Sequence, residues 1–95
     1  MRDRTPQLLR DPAHQRAWRL AETMIGDLGL YHVSDTPTDL SPESTLAEVD
    51  ASCRRSLGAA WGRARAAYEE KTPAPVREVR DYLAMAARRR WAIRA

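Results

Sequence analysis

The chain has 95 residues, of which 43% are hydrophobic and 31% charged, and its formal net charge is +3. This length allows one modest core, so we expect a single domain over residues 1–95. The single cysteine, Cys53, excludes an internal disulfide, and there is neither a signal-peptide pattern nor an apolar run long enough to cross a membrane. We therefore expect a cytoplasmic protein.

Charge is separated along the chain. Residues 1–20 hold five arginines against two aspartates, whereas residues 21–52 hold seven carboxylates and no lysine or arginine. Residues 53–95 hold eleven basic groups against four acidic groups. The sequence therefore describes a charge dipole rather than a uniformly basic protein.

The first predicted element, after an N-terminal arm over residues 1–10, is a helix over 12–31. It begins at Asp11-Pro12, because aspartate caps a helix and proline is tolerated in the first turn. Its expected core stripe has alternating spacings of four and three residues. The stripe consists of Ala17, Ala21, Met24, Leu28 and Tyr31.

The second predicted element, after a loop over 32–41, is a long helix over 42–71 that begins at Ser41-Pro42. Gly58 and Gly62 fall in its middle, where each glycine costs roughly 1 kcal/mol relative to alanine. Two interpretations stay open: the glycines mark a kink, or they belong to a small-residue face that admits a neighbouring backbone. That face consists of Ala51, Gly58, Gly62 and Ala66.

The third predicted helix covers 73–92, with the prolines at 73 and 75 in its first turn. Together the elements predict an all-α fold, an antiparallel up-down-up bundle of three helices with a long central helix. Helix 1 is expected to lie along the first half of helix 2, and helix 3 along its second half. Six side chains are expected to be buried: Leu28, Leu46, Val49, Leu57, Val79 and Leu83.

No pattern in the chain indicates catalysis. His14 and His32 lie near opposite ends of the first helix, about 27 Å apart by its rise, so they cannot share a metal and we expect both at the surface. The four glycines form neither a phosphate-binding loop nor a dinucleotide fingerprint, so no motif supports nucleotide binding. We therefore predict no enzyme, no cofactor and no metal site.

A basic cluster near the end of the third helix gives an alternative function. It consists of Arg88, Arg89, Arg90, Trp91 and Arg94. Guanidinium groups beside an aromatic ring can neutralise phosphates and stack on bases, although a helix dipole alone also favours cations at this end. Weak contact with nucleic acid through this cluster is therefore the alternative, and we rank it behind protein–protein interaction.

Several short strings occur in one order between residues 13 and 87. They are Leu20-Ala21, the hexapeptide at 26–31, Arg63 and Arg65, the tetrapeptide at 68–71, Val76-Arg77 and Asp81-Tyr82-Leu83. This order resembles a small all-helical C-terminal module of deltaproteobacterial zinc-ribbon and signalling-type regulatory proteins, without the zinc-ribbon cysteines. The resemblance implies a stand-alone, regulatory interaction module with no catalytic residue.

The favoured function is a non-enzymatic helical interaction or adaptor module in a bacterial cytoplasm, which self-associates or binds a partner helix. The expected contact surface is the small-residue face at 51, 58, 62 and 66. We expect a homodimer in which the acidic region 22–50 of one chain pairs with arginines in the region 53–95 of the other.

Overall fold

The computed structural model describes residues 5–93, and all regular structure in that range is helical, which confirms the all-α class. A 3-10 turn at Val33–Asp35 follows the second helix. The helices are α1 (Thr5–Leu8), α2 (Pro12–Tyr31), α3 (Leu46–Leu57), α4 (Ala59–Lys71), α5 (Ala74–Val79) and α6 (Tyr82–Trp91). Within this range, no helix combines the length and the apolar character needed to cross a membrane.

Helix α2 has the predicted bounds. The Asp11 carboxylate accepts a hydrogen bond of 2.8 Å from the Ala13 amide, and proline occupies the first turn, as the sequence pattern requires. Most of the expected stripe is buried, but Tyr31 is 77% exposed. The prediction that Tyr31 belongs to the core is wrong. The side chains across from it on α4, Ala60 and Ala64, are too short to cover a phenol ring.

Helix α3 begins at Leu46, four residues after the predicted start at Pro42. Thr45 and Glu48 form a capping box, in which each side chain accepts a 3.1 Å hydrogen bond from the amide of the other residue. These bonds hold the pKa of Glu48 below its usual range. The box satisfies the amides of Thr45 and Glu48 at the start of α3, and Ser41 to Ser44 form a turn in place of the predicted first helical turn.

A break at Gly58 divides the predicted central helix. Gly58 has φ 55° and ψ −125°, a backbone conformation that is open to glycine and strained for other residues. Its amide donates to the Arg54 carbonyl and ends α3, and α4 begins at the next residue. The prediction of one long helix over 42–71 is therefore wrong, and of the two interpretations of the glycines the kink applies to Gly58.

The break also changes which helices pack together. Helix α6 packs against α2 and α3, and α4 packs against α2. The expectation that helix 1 lies along the first half of helix 2 and helix 3 along its second half is therefore wrong; the order is the reverse. The chain turns back at Gly58, so that Ala60 lies near Leu28 and Thr72 lies near Ala17. The up-down-up bundle of three helices is not confirmed.

The predicted third helix is also interrupted, at Arg80 and Asp81. Arg80 has an extended backbone, and the Asp81 carboxylate caps α6 by accepting from the Ala84 amide. Val79 was expected to be buried but is 55% exposed, because α5 ends there and its orientation is independent of α6. Of the other five side chains expected in the core, Leu46 is half-buried and four are buried: Leu28, Val49, Leu57 and Leu83.

The guanidinium of Arg65 joins three helices. Its Nη2 donates to Asp50 Oδ1 on α3 at 2.7 Å, and its Nη1 and Nη2 donate to the two carboxylate oxygens of Asp81, at the start of α6, at 2.9 Å each. Trp61 Nε1 donates to the same oxygen of Asp50 at 2.9 Å. The Arg65 side chain is only 14% exposed, so these charge-assisted bonds form away from bulk water.

The pKa of Asp50 follows from this contact. Partial burial raises the pKa, but the hydrogen bonds from Arg65 and Trp61 outweigh burial and hold it below its ordinary value of 3.8. A carboxyl whose pKa is lower in the folded than in the unfolded state stabilises the fold above its ordinary pKa. This contribution is lost as the pH falls through the lowered, folded-state value.

We predict that Asp50→Asn lowers the free energy of unfolding by about 1–3 kcal/mol at neutral pH, because it weakens the bonds to a buried guanidinium. The difference from the native chain should shrink as the pH falls from 3.8 through the lowered, folded-state pKa of Asp50, where the folded carboxyl also becomes protonated. Urea unfolding at a series of pH values measures this difference. Asp35→Asn, at an exposed carboxyl, is the control; a difference that does not change with pH would contradict the prediction.

The break at Gly58 predicts opposite effects for two glycine substitutions. Gly58→Ala should destabilise the fold by about 1–3 kcal/mol, since alanine is strained at a positive φ. Gly62→Ala should stabilise it by about 0.5–1 kcal/mol, because Gly62 lies inside α4 and a methyl group there meets no atom within 4 Å among the described residues. Thermal unfolding compares the two variants. Stabilisation by both would indicate a continuous helix.

Candidate interaction site

The predicted small-residue face is split by the break. Ala51 lies on α3, Gly58 lies at the break, and only Gly62 and Ala66 share α4. Ala51, Gly58 and Ala66 are exposed and Gly62 is half-buried. No other segment between residues 5 and 93 packs at Gly58 or Gly62, because nothing there lies within 4 Å of the space that a methyl group would occupy. The part of the predicted face that remains is an outward side of α4 with small residues, which includes Gly62 and Ala66.

The predicted basic cluster is also divided. Arg88 Nη1 donates to the Ser44 carbonyl at 2.9 Å, whereas the Arg89 guanidinium lies 5.8 Å from the centre of the Trp18 ring. Arg90 and Trp91 lie against Gly29 on α2. Arg94 is outside the described residues. The structure therefore brings Arg89 and Arg90 to α2 and directs Arg88 to the loop before α3.

A groove of about 270 Å³ runs between the C-terminal half of α2 and the start of α4. Its apolar lining consists of Met24, Leu28, Tyr31, Ala60 and Ala64. Its polar edge consists of Asp27, His32 and Arg63. The groove exists because α4 presents alanines to α2, and two methyl groups do not fill the space that opposes a methionine and a tyrosine.

Three exposed apolar side chains lie at the end of α2 and just after it, and one of them, Tyr31, lines this groove. Leu30 is 71%, Tyr31 77% and Val33 74% exposed, and they are three of the five exposed large hydrophobic side chains in the described range. Exposed apolar side chains at neighbouring positions of the chain are candidates for a contact surface. Sequence reasoning missed it, because Tyr31 was assigned to the core and the chain after it to a polar loop. Leu30, an apolar residue off the helical stripe, was the available signal.

The edge of the groove carries both signs of charge. Asp27 on α2 and Arg63 on α4 are exposed, and neither forms an ion pair among residues 5–93. The outward face of α4, with Ala59, Gly62 and Ala66, adjoins Arg63 on the same helix. We call the groove, its charged edge and this face of α4 the α2–α4 surface.

The histidines and the cysteine do not form a reactive site. The expectation of a surface position is wrong for His14, which is 7% exposed: its Nδ1 is hydrogen-bonded to the Tyr82 hydroxyl at 2.7 Å, so the buried ring has a polar partner. His32 is half-buried at the edge of the groove. Burial raises the pKa of the Cys53 thiol to about 12, which leaves almost no nucleophilic thiolate at neutral pH.

Metal ligands are not grouped in the described part of the chain. Between residues 5 and 93, no three side chains of the histidine, cysteine, aspartate and glutamate types converge on a position where they could hold a metal ion. The carboxylates of Asp50 and Asp81 do converge, but Arg65 occupies the space between them. Their arrangement serves the fold.

Comparison with models of known protein families gave no match, and neither did comparison with curated proteins or with solved structures. The resemblance to the deltaproteobacterial regulatory module therefore stays a prediction. The surfaces of the molecule are the remaining basis for its function.

Proposed function

We propose that this protein is a non-enzymatic helical interaction module that self-associates through the α2–α4 surface. The observation that carries the proposal is the group of exposed apolar side chains at 30, 31 and 33, of which Tyr31 lines an unfilled apolar groove. Burying such side chains in an interface removes apolar surface from water, which is the main favourable term in association.

A second copy of the chain is the occupant that we favour. In a two-fold interface the same patch serves both partners, so it must be complementary to itself. The α2–α4 surface meets this requirement, because Asp27 of one copy can pair with Arg63 of the other, and the reverse pair forms at the same time. Both side chains are exposed and have no partner within the described chain, so neither has to give up an ion pair.

Shape supports the same arrangement. The outward face of α4 has Gly62 and two alanines, so its backbone can approach another helix closely. A groove lined by methyl groups on one side and by Met24 and Tyr31 on the other can accept a helix of that narrow profile. Of the predicted small-residue face, Gly62 and Ala66 are contact residues in the proposed dimer, whereas Ala51 and Gly58 are not.

We predict that reversing either charge prevents self-association. Asp27→Arg makes both edges of the patch positive and Arg63→Glu makes both negative, so each variant repels its own copy and should dimerise about 10–100-fold more weakly than the native chain. An equimolar mixture of the two variants should form a heterodimer, because both ion pairs are then restored. Sedimentation velocity of the native chain, each variant and the mixture measures these states.

Arg10→Glu is the control, since Arg10 precedes the opposite end of α2 and its reversal should leave the dimer unchanged. A native chain that is monomeric at its highest soluble concentration would overturn self-association. A native dimer that both reversals leave intact would overturn the α2–α4 surface as its interface. A third outcome is a native chain that stays monomeric but binds a helix of another protein, with that binding lost in Arg63→Glu. In that case the α2–α4 surface binds a foreign partner and the homodimer is wrong.

A further inference from the structure

A second concave site lies on another face of α2, away from the α2–α4 surface. It is a cleft of about 290 Å³ between α2 and α6, with Trp18 as one wall and Ile25 and Ala86 at its base. Arg89, Arg90 and Glu22 complete its lining. Residues from positions 18 to 26 and 86 to 90 meet here only because α2 and α6 pack together.

The two arginines are available to a ligand. Neither Arg89 nor Arg90 has a carboxylate within ion-pair distance in the described part of the chain, and both side chains are exposed. Arg89 is held over the Trp18 ring, and Arg90 lies along Gly29, so α2 orients both toward one cleft. Two planar guanidinium groups that share a cleft are suited to the oxygens of a phosphate group.

The apolar part of the cleft is suited to a flat ring. Trp18 is half-buried, and its indole is a large stacking surface beside Ile25. Gly26 also lines the cleft and adds no side chain to it. A planar aromatic group can therefore lie against Trp18 or against the guanidinium that covers it, as bases do on proteins that bind single strands.

Glu22 adds a hydrogen-bond acceptor in the same cleft. It is exposed and forms no ion pair with the neighbouring arginines at 4 Å or less. A carboxylate accepts from the amino group of a base, as glutamate does from the cytosine amine. The cleft thus combines a pair of cations, a stacking wall and an acceptor of amino hydrogens.

We propose that this cleft binds one nucleotide unit whose base carries an amino group. The phosphate contacts Arg89 and Arg90, the base lies against Trp18 or against the Arg89 guanidinium that covers it, and its amino group donates to Glu22. The unit can come from a free nucleotide or from a single strand of nucleic acid, which share this chemistry. Because such a site contains no glycine-rich loop, the sequence motifs for nucleotide binding do not detect it.

The test is a titration of the full chain followed by tryptophan fluorescence, with adenosine monophosphate, inosine monophosphate, ribose 5-phosphate and an oligodeoxyadenylate as probes. Adenosine monophosphate should bind about tenfold or more tightly than ribose 5-phosphate, because stacking of one base contributes about 1–3 kcal/mol. Trp18→Phe should remove most of the response, because neither Trp61, which is fully buried, nor Trp91 lines the cleft.

Two variants separate the roles of the charged groups. Arg89→Gln/Arg90→Gln should weaken binding about tenfold or more, whereas Arg10→Gln/Arg16→Gln, which removes the same charge from exposed positions outside the cleft, should not. Glu22→Met, which keeps the length of the side chain but has no oxygen to accept from the amino group, should abolish the preference for adenosine over inosine monophosphate, because inosine lacks the amino group. Circular dichroism checks that each variant is folded.

The outcomes also separate the two sources of the ligand. Binding of adenosine monophosphate assigns the site to free nucleotides, and binding of the oligonucleotide alone assigns it to single strands. Equal binding of ribose 5-phosphate and adenosine monophosphate would overturn a base-binding site, and so would binding that the Arg89→Gln/Arg90→Gln variant leaves unchanged. Absence of a response to every probe would overturn the proposal as a whole.

Discussion

The ion-pair cluster around Arg65 determines how the helices of this protein are arranged. The Gly58 break frees α4 from the direction of α3, so a contact across the break must set the angle between them. Arg65 supplies that contact by bonding to Asp50 on α3, and it bonds at the same time to the carboxylate that caps α6. Partial burial of the guanidinium opposes its charged form, but the two carboxylates more than compensate and raise its pKa. A neutral side chain at position 65 could not join these three elements.

Buried polar groups serve packing throughout the core. The Tyr68 hydroxyl accepts from the Tyr82 amide at 3.2 Å, and the Tyr82 hydroxyl is bonded to His14, so a chain of contacts links α4, α6 and α2. Burial raises the pKa of Tyr68 to about 12 and that of Tyr82 in the same direction, so both phenols stay neutral at physiological pH. Residues of types that often carry catalysis therefore supply the hydrogen bonds that a small helical core needs.

Helix α2 contributes both to the α2–α4 surface and to the cleft beside α6. One face presents Met24 and Tyr31 to the groove beside α4, and another presents Trp18 and Glu22 to the cleft. Both concavities have the same origin, since α4 and α6 oppose α2 with many alanines, which bring backbones close but do not fill the space at the edges of the contact. The alanines that let the helices pack closely thus also leave open grooves at the surface.

Local signals in the sequence determined α2, the all-α class and the burial of Val49, Leu57 and Leu83, because a cap, an early proline and helical periodicity act within a few residues. These local signals did not determine the break at Gly58, because a glycine inside a periodic segment is compatible with either a continuous helix or a turn at positive φ. Tertiary contacts decided between them: Arg65 reaches Asp50 only if the chain bends there. Tertiary contacts also decided that Tyr31 is exposed, that His14 is buried and that Arg89 shares a cleft with Trp18. Their environments depend on which helices become neighbours, and packing between distant segments sets that order.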